Sequence, residues 1–335
     1  MTRFVIMSLG SIGQRHLRNL KMLLPDAEIA VWRRPGRADG ADGADFVLES
    51  LEAVLAFAPN AAIIASPASV HLTAALALAD AGVHLLVEKP LATSSAGVVD
   101  LVRRCRARNL VLMTGYNLRF MPSLRKARQL IDEGVIGAVL GARAEVGQYL
   151  PDWRPAADYR QGVSARGELG GGALLELSHD IDYLLWILGM PETVTARGGK
   201  FSNLDMDVED MAELLLDYQH PRRLVNVHLD MVQRSPIRRC RFIGSEGVLM
   251  WDCIADRIEY CQSSTGQWQQ IDELRLADRN TMYVDELRHF LDCVRLGHSP
   301  ECSGEDGLAV LRVVDAARAS MRYSETLTLD AGECE

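Results

Sequence analysis

Arg3-Phe4-Val5-Ile6-Met7-Ser8-Leu9-Gly10-Ser11-Ile12-Gly13-Gln14-Arg15-His16 stands near the start of the chain and sets the expected fold. A short apolar run, a small-residue turn and the beginning of an amphipathic helix make the first half of a βαβ unit. In the dinucleotide fingerprint, glycines allow a tight turn, close approach of backbone to a pyrophosphate, and close helix packing, while the helix N-terminus stabilises negative charge. Gly10 and Gly13 fall at the second and third glycine positions, and Ser8 replaces the first. The same residues would also serve as a plain strand-to-helix turn. Their place directly after a strand and at the mouth of an amphipathic helix favours a phosphate cradle.

Working outward, β-branched runs at 3–7, 28–32, 61–65, 84–87 and 110–114 alternate with helical stretches at 14–24, 51–58, 69–81 and 94–108. Such alternation predicts a Rossmann-type parallel sheet over 1–118, with ligands at the carboxyl ends of the strands. Where a NAD enzyme usually carries an acidic residue for the ribose hydroxyl, the second strand ends in Trp32-Arg33-Arg34. Two guanidinium groups suit the 2′-phosphate of NADP, so NADP is the expected cofactor, with NAD the alternative.

Beyond Gly115 the pattern changes. A helix over 122–133 is followed by alternating-face strands at 139–149, 193–201, 208–218, 223–233, 237–243, 248–251 and 257–260, with helices at 283–295 and 304–321. Consecutive strands with turn signals such as Gly244-Ser245-Glu246-Gly247 predict a second, α+β domain over 119–335 on a large, mostly antiparallel open sheet. One face of it is unusually apolar for solvent, which predicts a homodimer or homotetramer formed sheet to sheet.

Composition narrows the classes. The chain has 335 residues, enough for two cores, and a net charge of −9 without a lysine-rich tract. Nucleic acid and anionic membranes are therefore poor partners. No apolar run approaches the roughly 20 residues of a membrane span, and the strand pattern begins at once, so a cytoplasmic protein is expected. The seven cysteines (Cys105, Cys240, Cys253, Cys261, Cys293, Cys302 and Cys334) are scattered and never spaced as CxxC. Reduced packing residues, with no metal site, are the expectation.

Two stretches carry chemistry. His84-Leu85-Leu86-Val87-Glu88-Lys89-Pro90 reads as a buried strand whose carboxyl end delivers Lys89 to the cofactor cleft. Gly170-Gly171-Gly172-Ala173-Leu174-Leu175-Glu176-Leu177-Ser178-His179-Asp180-Ile181-Asp182 reads as a helix entered through glycines, which leave room for a flat ring or a sugar. On the helical wheel Glu176 lies one turn from His179, close enough to bond its ring and fix the tautomer. Lys89 and His179 handle protons near neutral pH, the equipment for removing a hydroxyl proton together with a hydride. A lone helical histidine and a strand-end lysine are ordinarily structural; the flanking motifs favour function. Between the two stretches, Tyr149, Trp153 and Tyr159 offer flat faces for sugar C–H groups, and Arg154, Arg160 and Arg166 offer forks for a carboxylate or phosphate. A solvated surface excursion is the plainer alternative.

The glycine turn, Glu88-Lys89-Pro90, Tyr116-Asn117-Leu118-Arg119-Phe120 and the Gly170-to-Asp182 block together resemble the Gfo/Idh/MocA oxidoreductase family over essentially the whole length. The resemblance implies oxidation or reduction of a sugar, sugar acid, nucleotide sugar or cyclitol carbon, with the family lysine and histidine at Lys89 and His179. Leu175 stands where the family pattern has an aspartate, and Glu176 is the candidate replacement. The stretch Gln148-Tyr149-Leu150-Pro151-Asp152-Trp153-Arg154-Pro155 resembles a subgroup from bacterial surface-sugar pathways. Expected cofactor contacts are Ser8, Gly10, Ser11, Ile12, Gly13, Arg33, Arg34, Ser66, Pro67, His71, Glu88 and Lys89; expected substrate contacts are Asn117, Arg119, Tyr149, Trp153, Tyr159, Arg166 and Asp182. Lys89, His179 and Glu176 are the expected catalytic residues. Two rival readings share this architecture: a NAD-using glycosidase with an internal redox cycle, and a non-catalytic sensor of NADP or sugar, for which the lysine or the histidine should be missing.

Overall fold

A computed structural model of the chain describes residues 2–33, 41, 43–271, 274 and 276–329. Among these residues the first compact unit is built on six parallel strands, β1 (Arg3–Met7), β2 (Glu28–Trp32), β3 (Phe46–Leu48), β4 (Ala61–Ile64), β5 (His84–Glu88) and β6 (Leu112–Gly115), in the order β3-β2-β1-β4-β5-β6. Helices α1 (Ser11–Leu23), α2 (Leu51–Phe57), α3 (His71–Asp80) and α4 (Val98–Ala107) alternate with them. β1 pairs with β2 on one side, Ile6 opposite Val31, and with β4 on the other, Ile6 opposite Ile63. Phe4, Val5, Ile6, Val31, Ile63 and Leu86 are wholly buried, as expected of strands covered on both faces, which read as unbroken apolar runs. Strand order reverses between β1 and β4, and such a switch point opens a crevice at the carboxyl ends.

The second unit begins at Leu118. It carries α5 (Pro122–Asp132), β7 (Val139–Gly147), α6 (Ala173–Glu176), α7 (His179–Leu188), β8 (Thr193–Gly199), β9 (Met211–Gln219), β10 (Arg222–Asp230), β11 (Ile237–Gly244), β12 (Gly247–Asp252), β13 (Arg257–Gln262), β14 (Trp268–Ile271) and, late in the chain, β15 (Leu327–Thr328). Among the described residues these nine strands form one sheet, β14-β13-β12-β11-β7-β10-β9-β8-β15, antiparallel except where β10 runs parallel to β7. Its covered face is apolar through Val225, Val227, Leu214, Leu216, Phe242 and Trp251. Trp251 donates its indole N–H to Ser123 Oγ at 3.0 Å, and Ser123 in turn donates to Asp256 at 2.6 Å, which anchors α5 on the sheet.

The opposite face mixes exposed Leu215, Leu224 and Ile243 with Arg143, Arg241, Glu145, Glu213 and His228. Hydrogen bonds from His228 to Asp230 and Glu213 raise its pKa to about 9. That folded value lies above the unfolded one of about 6.5, so the contribution of His228 to stability is full below about pH 6.5 and fades as pH rises through about 9. Denaturant melts should show His228→Gln losing more stability near about pH 6 than near about pH 10.

Two further helices are α8 (Asn280–Leu296) and α9 (Gly304–Tyr323). Arg279–Leu311, which fall within the second domain expected over 119–335, cluster with the first unit, whose first stretch ends at Asn117. Asn280 exchanges amide hydrogen bonds with Asn19 on α1, Thr114 donates its hydroxyl to the Ser303 carbonyl, and Met113 and Ser303 form an antiparallel bridge. The three short edge strands β3, β14 and β15 were not expected either. Their side chains are mostly exposed, so they lack the apolar signal that marks an inner strand.

Among the described residues Cys105, Cys240, Cys253, Cys261, Cys293 and Cys302 are free thiols, and Cys334 lies outside them. Among the same residues no helix is long and apolar enough to cross a membrane.

Candidate functional site

In the first unit the turn after β1 has the form of a phosphate cradle. Gly10 is the extended N-cap of α1, which has neither a side-chain cap nor an acidic residue in its first turn. Its leading N–H groups therefore point outward without a protein partner from the cap, and the space beside Gly10 is open to 4 Å. Ser11 is exposed and Ile12 half-buried at this entry. A side chain at Gly13 would overlap the Ser8 carbonyl oxygen, so only glycine lets the helix approach the strand this closely. The turn thus fits a dinucleotide pyrophosphate, which the backbone of residues 10–13 would hold.

Ser8 has φ +85°, a left-handed conformation that L side chains resist. That explains why glycine is the usual occupant there. Ser8→Gly is expected to stabilise the fold by about 1 kcal/mol, seen as a higher Tm.

Arg33 is half-buried directly after β2, with its backbone N–H donated to Leu48. Arg34 lies outside the described residues. At the carboxyl end of β4, Ser66 and Pro67 are half-buried, and Ser66 Oγ is a buried hydroxyl without a hydrogen-bond partner among the described residues. Lys89 is half-buried at the carboxyl end of β5, in a cis peptide bond with Pro90.

His71 and Glu88, the expected cofactor contacts, are both buried. His71 is buried, with Nδ1 2.9 Å from the Pro90 carbonyl and Nε2 2.7 Å from the Ser66 carbonyl, so it staples the loop after β4 to the loop after β5. Burial holds its pKa below the usual histidine range. Glu88 meets His16 Nε2 at 2.6 Å and accepts the Lys89 backbone N–H at 3.3 Å. Asn117, expected at the substrate, is buried and bonds Tyr283 on α8.

In the second unit His179 is half-exposed at the first position of α7. The continuous helix expected here is broken: α6 ends at Glu176, and Leu177 and Ser178 make a turn in which Ser178 Oγ bonds the Leu175 carbonyl at 2.8 Å. A serine hydroxyl bonded to a nearby carbonyl competes with helical continuation. Glu176 Oε2 accepts a hydrogen bond from Ser164 Oγ at 2.8 Å, which ties it to the 163–165 segment.

The glycine run is corrected as well. Side chains at Gly171 and Gly172 would overlap the Val163 carbonyl and the Glu209 carboxylate, so the chain itself fills the room expected for a ring or sugar. Gly172 has φ +103°, and Glu209, its pKa raised by burial, accepts the Leu174 N–H at 3.1 Å and caps α6.

Arg119 and Asp182, expected at the substrate, are buried and joined in a two-pronged ion pair of 2.6 and 3.0 Å. Asp180, equally buried, pairs with Arg238 at 3.1 Å. These two pairs fix the rotation of α7 and with it the direction of His179.

The loop candidates remain at the surface of this unit. Tyr149 lies 3.5 Å beneath the Arg234 guanidinium, Trp153 donates its indole N–H to the Gln148 carbonyl, and the Tyr159 hydroxyl accepts the Asp205 N–H. Arg166 is exposed. Sequence reasoning missed Ser164, Glu209 and His16. Ser164 and Glu209 carry no local signal for contacts 12 and 35 residues away in the chain.

Comparison with known proteins bears on both units. Residues 2–116 match a model described as oxidoreductase family, NAD-binding Rossmann fold, and residues 124–250 match the GFO/IDH/MocA C-terminal domain. Myo-inositol 2-dehydrogenase of Thermotoga maritima is 25% identical over 98% of this chain and 98% of its own. Levoglucosan dehydrogenase in complex with NADH superposes with a TM-score of 0.87 at 19% identity, covering 98% of this chain and 99% of that one. The WlbA dehydrogenase from Bordetella pertussis, in complex with NADH and UDP-GlcNAcA, superposes with a TM-score of 0.83 at 22% identity, covering 99% of each chain. At these identities the two solved structures show the shared fold. With a NAD-binding Rossmann unit and a matching C-terminal sheet domain in one chain, the protein belongs to the Gfo/Idh/MocA family of oxidoreductases.

Proposed function

We propose that the protein transfers a hydride between a nicotinamide cofactor and a secondary alcohol or ketone of a sugar, sugar acid, nucleotide sugar or cyclitol. The observation that carries this reading is the placement, in one unit, of an open Gly10 cradle at an uncapped helix N-terminus and of Lys89 at the carboxyl end of β5. Lys89 would hydrogen-bond the substrate oxygen and stabilise it as charge develops, while His179 takes the hydroxyl proton. A bound nicotinamide supplies the hydride acceptor. Relatives named as inositol and levoglucosan dehydrogenases support a polyhydroxylated ring as substrate. Tyr149, Trp153, Tyr159 and Arg166 are the proposed contacts for it.

The test is a nicotinamide-absorbance assay over nucleotide sugars, sugar acids, inositols and hexoses with both cofactors, after mass spectrometry of whatever nucleotide co-purifies. Turnover of one class is expected. Dinucleotide binding without hydride transfer to any of them would favour a sensor.

The finer cofactor choice is NADP, held by Arg33 and Arg34. A charged hydrogen bond is worth about 1.5–3 kcal/mol, so Arg33→Ala should raise KM for NADP by about tenfold or more with little effect on NAD. A wild-type preference for NAD would sink this choice. For the assembly, a second copy pairing sheet to sheet would cover Leu215, Leu224 and Ile243 and bring carboxylates to Arg143 and Arg241, which stand directly opposite each other. Light scattering should give a dimer or tetramer that Leu224→Glu weakens. Reduced thiols suit a cytoplasmic setting.

A further inference from the structure

One buried cluster in the first unit joins three titratable side chains that hydride transfer does not use. His16 on α1, Glu88 at the end of β5 and Glu286 on α8 bring side-chain atoms within 4.8 Å of one another, and His16 and Glu286 are wholly buried. The His16 to Glu88 contact of 2.6 Å has the length of a charge-assisted bond. The other oxygen of Glu88 receives the backbone N–H of Lys89. From β6, any Cβ at Gly115 would sit 3.1 Å from Glu88, so the carboxylate is confined on that side as well. Among the described residues His16 Nδ1 is buried without a hydrogen-bond partner, which leaves Glu88 as the polar contact of this ring.

The cluster lies on a polar seam between α1 and α8. Asn280, Tyr283 and Glu286 recur at three-residue spacing on α8, and Arg15, His16 and Asn19 face them from α1. Asn19 and Asn280 bond each other, Arg15 covers the Tyr283 ring at 4.3 Å, and His16 meets that ring edge-on at 6.4 Å. α1 is also the helix that starts at the Gly10 cradle. A continuous chain of contacts thus runs from the dinucleotide-binding helix through His16 and Glu88 to the backbone of Lys89. Packed apolar side chains would stabilise such a junction without the desolvation cost of buried charge.

Given the dehydrogenase role proposed above, we propose that His16 and Glu286 are positioning residues that act through Glu88 to hold the Lys89 backbone in register with the dinucleotide-binding helix. Three variants separate the possibilities. His16→Gln keeps an N–H where Nε2 lies, His16→Leu removes it, and Glu286→Gln keeps the shape while replacing the carboxyl group by an amide.

The first readout needs no turnover: the rate of Lys89 acetylation by trace acetic anhydride, followed by peptide mass spectrometry, beside fluorescence titration with NADH and NADPH. His16→Leu should change Lys89 labelling several-fold while dinucleotide affinity stays close to wild type, and His16→Gln should restore the labelling. In turnover, His16→Leu should lower kcat by about 10- to 100-fold with KM for the cofactor little changed, as expected of a displaced reacting group. Should His16→Leu fail to fold, Glu286→Gln carries the same comparison. The proposal is overturned if the folded variants label Lys89 and turn over like wild type, or if dinucleotide binding itself collapses, which would put His16 in the cofactor site. Altered labelling in a protein that oxidises none of the candidate alcohols would refute the dehydrogenase role and leave this linkage standing.

Discussion

Replacing Lys89 by alanine is expected to lower turnover by about 10²- to 10⁴-fold, the range for a lost proton-handling group, while dinucleotide affinity stays near wild type. The two effects separate because the cradle and the lysine are built from different strand ends. The backbone of residues 10–13 follows β1, and Lys89 follows β5. Lys89→Arg should not rescue, since a wide planar guanidinium cannot take the place of a compact ammonium as donor to the substrate oxygen. Steady-state kinetics beside NADH titration make the measurement. Full activity in Lys89→Ala would remove the lysine from the chemistry.

Breaking the Arg119–Asp182 pair is expected to cost about 3–5 kcal/mol for either single alanine substitution, because each leaves its partner charged and buried. Both side chains are at most 2% exposed and are joined by two short bonds, so water cannot compensate the survivor. The double replacement Arg119→Met with Asp182→Leu should recover most of the loss, since it removes both charges from the interior together. Denaturant unfolding of the three variants checks this. If Asp182→Ala kept its stability and changed only substrate KM, the substrate contact read from sequence would return in place of a structural pair.

The strand-end positions of Lys89 and Gly10 were legible because they depend on local order: an apolar run, a turn residue and a helix start follow one another along the chain. The helix after Gly172 was legible only in outline. Its wheel placed Glu176 one turn from His179; it did not show that Ser178 bonds the Leu175 carbonyl or that Glu176 meets Ser164, contacts that periodicity does not encode. The residues expected at ligands but found inside, His71, Glu88, Asn117, Arg119 and Asp182, share one cause. Each is polar and adjacent to a motif, and each found a partner on another element that desolvated it.

By itself the order of residues determined the parallel character of the first sheet and the mostly antiparallel character of the second, because apolar periodicity and glycine placement act over a few residues at a time; the oxidoreductase chemistry was legible through the resemblance of its motifs to the Gfo/Idh/MocA family. Tertiary structure alone decided which polar side chains are withdrawn from solvent, that Arg279–Leu311 join the first unit, and that Glu209 occupies the space beside Gly172. Those outcomes depend on groups far apart in sequence competing for the same hydrogen bonds once water is excluded, and their free energies exist only in the folded chain.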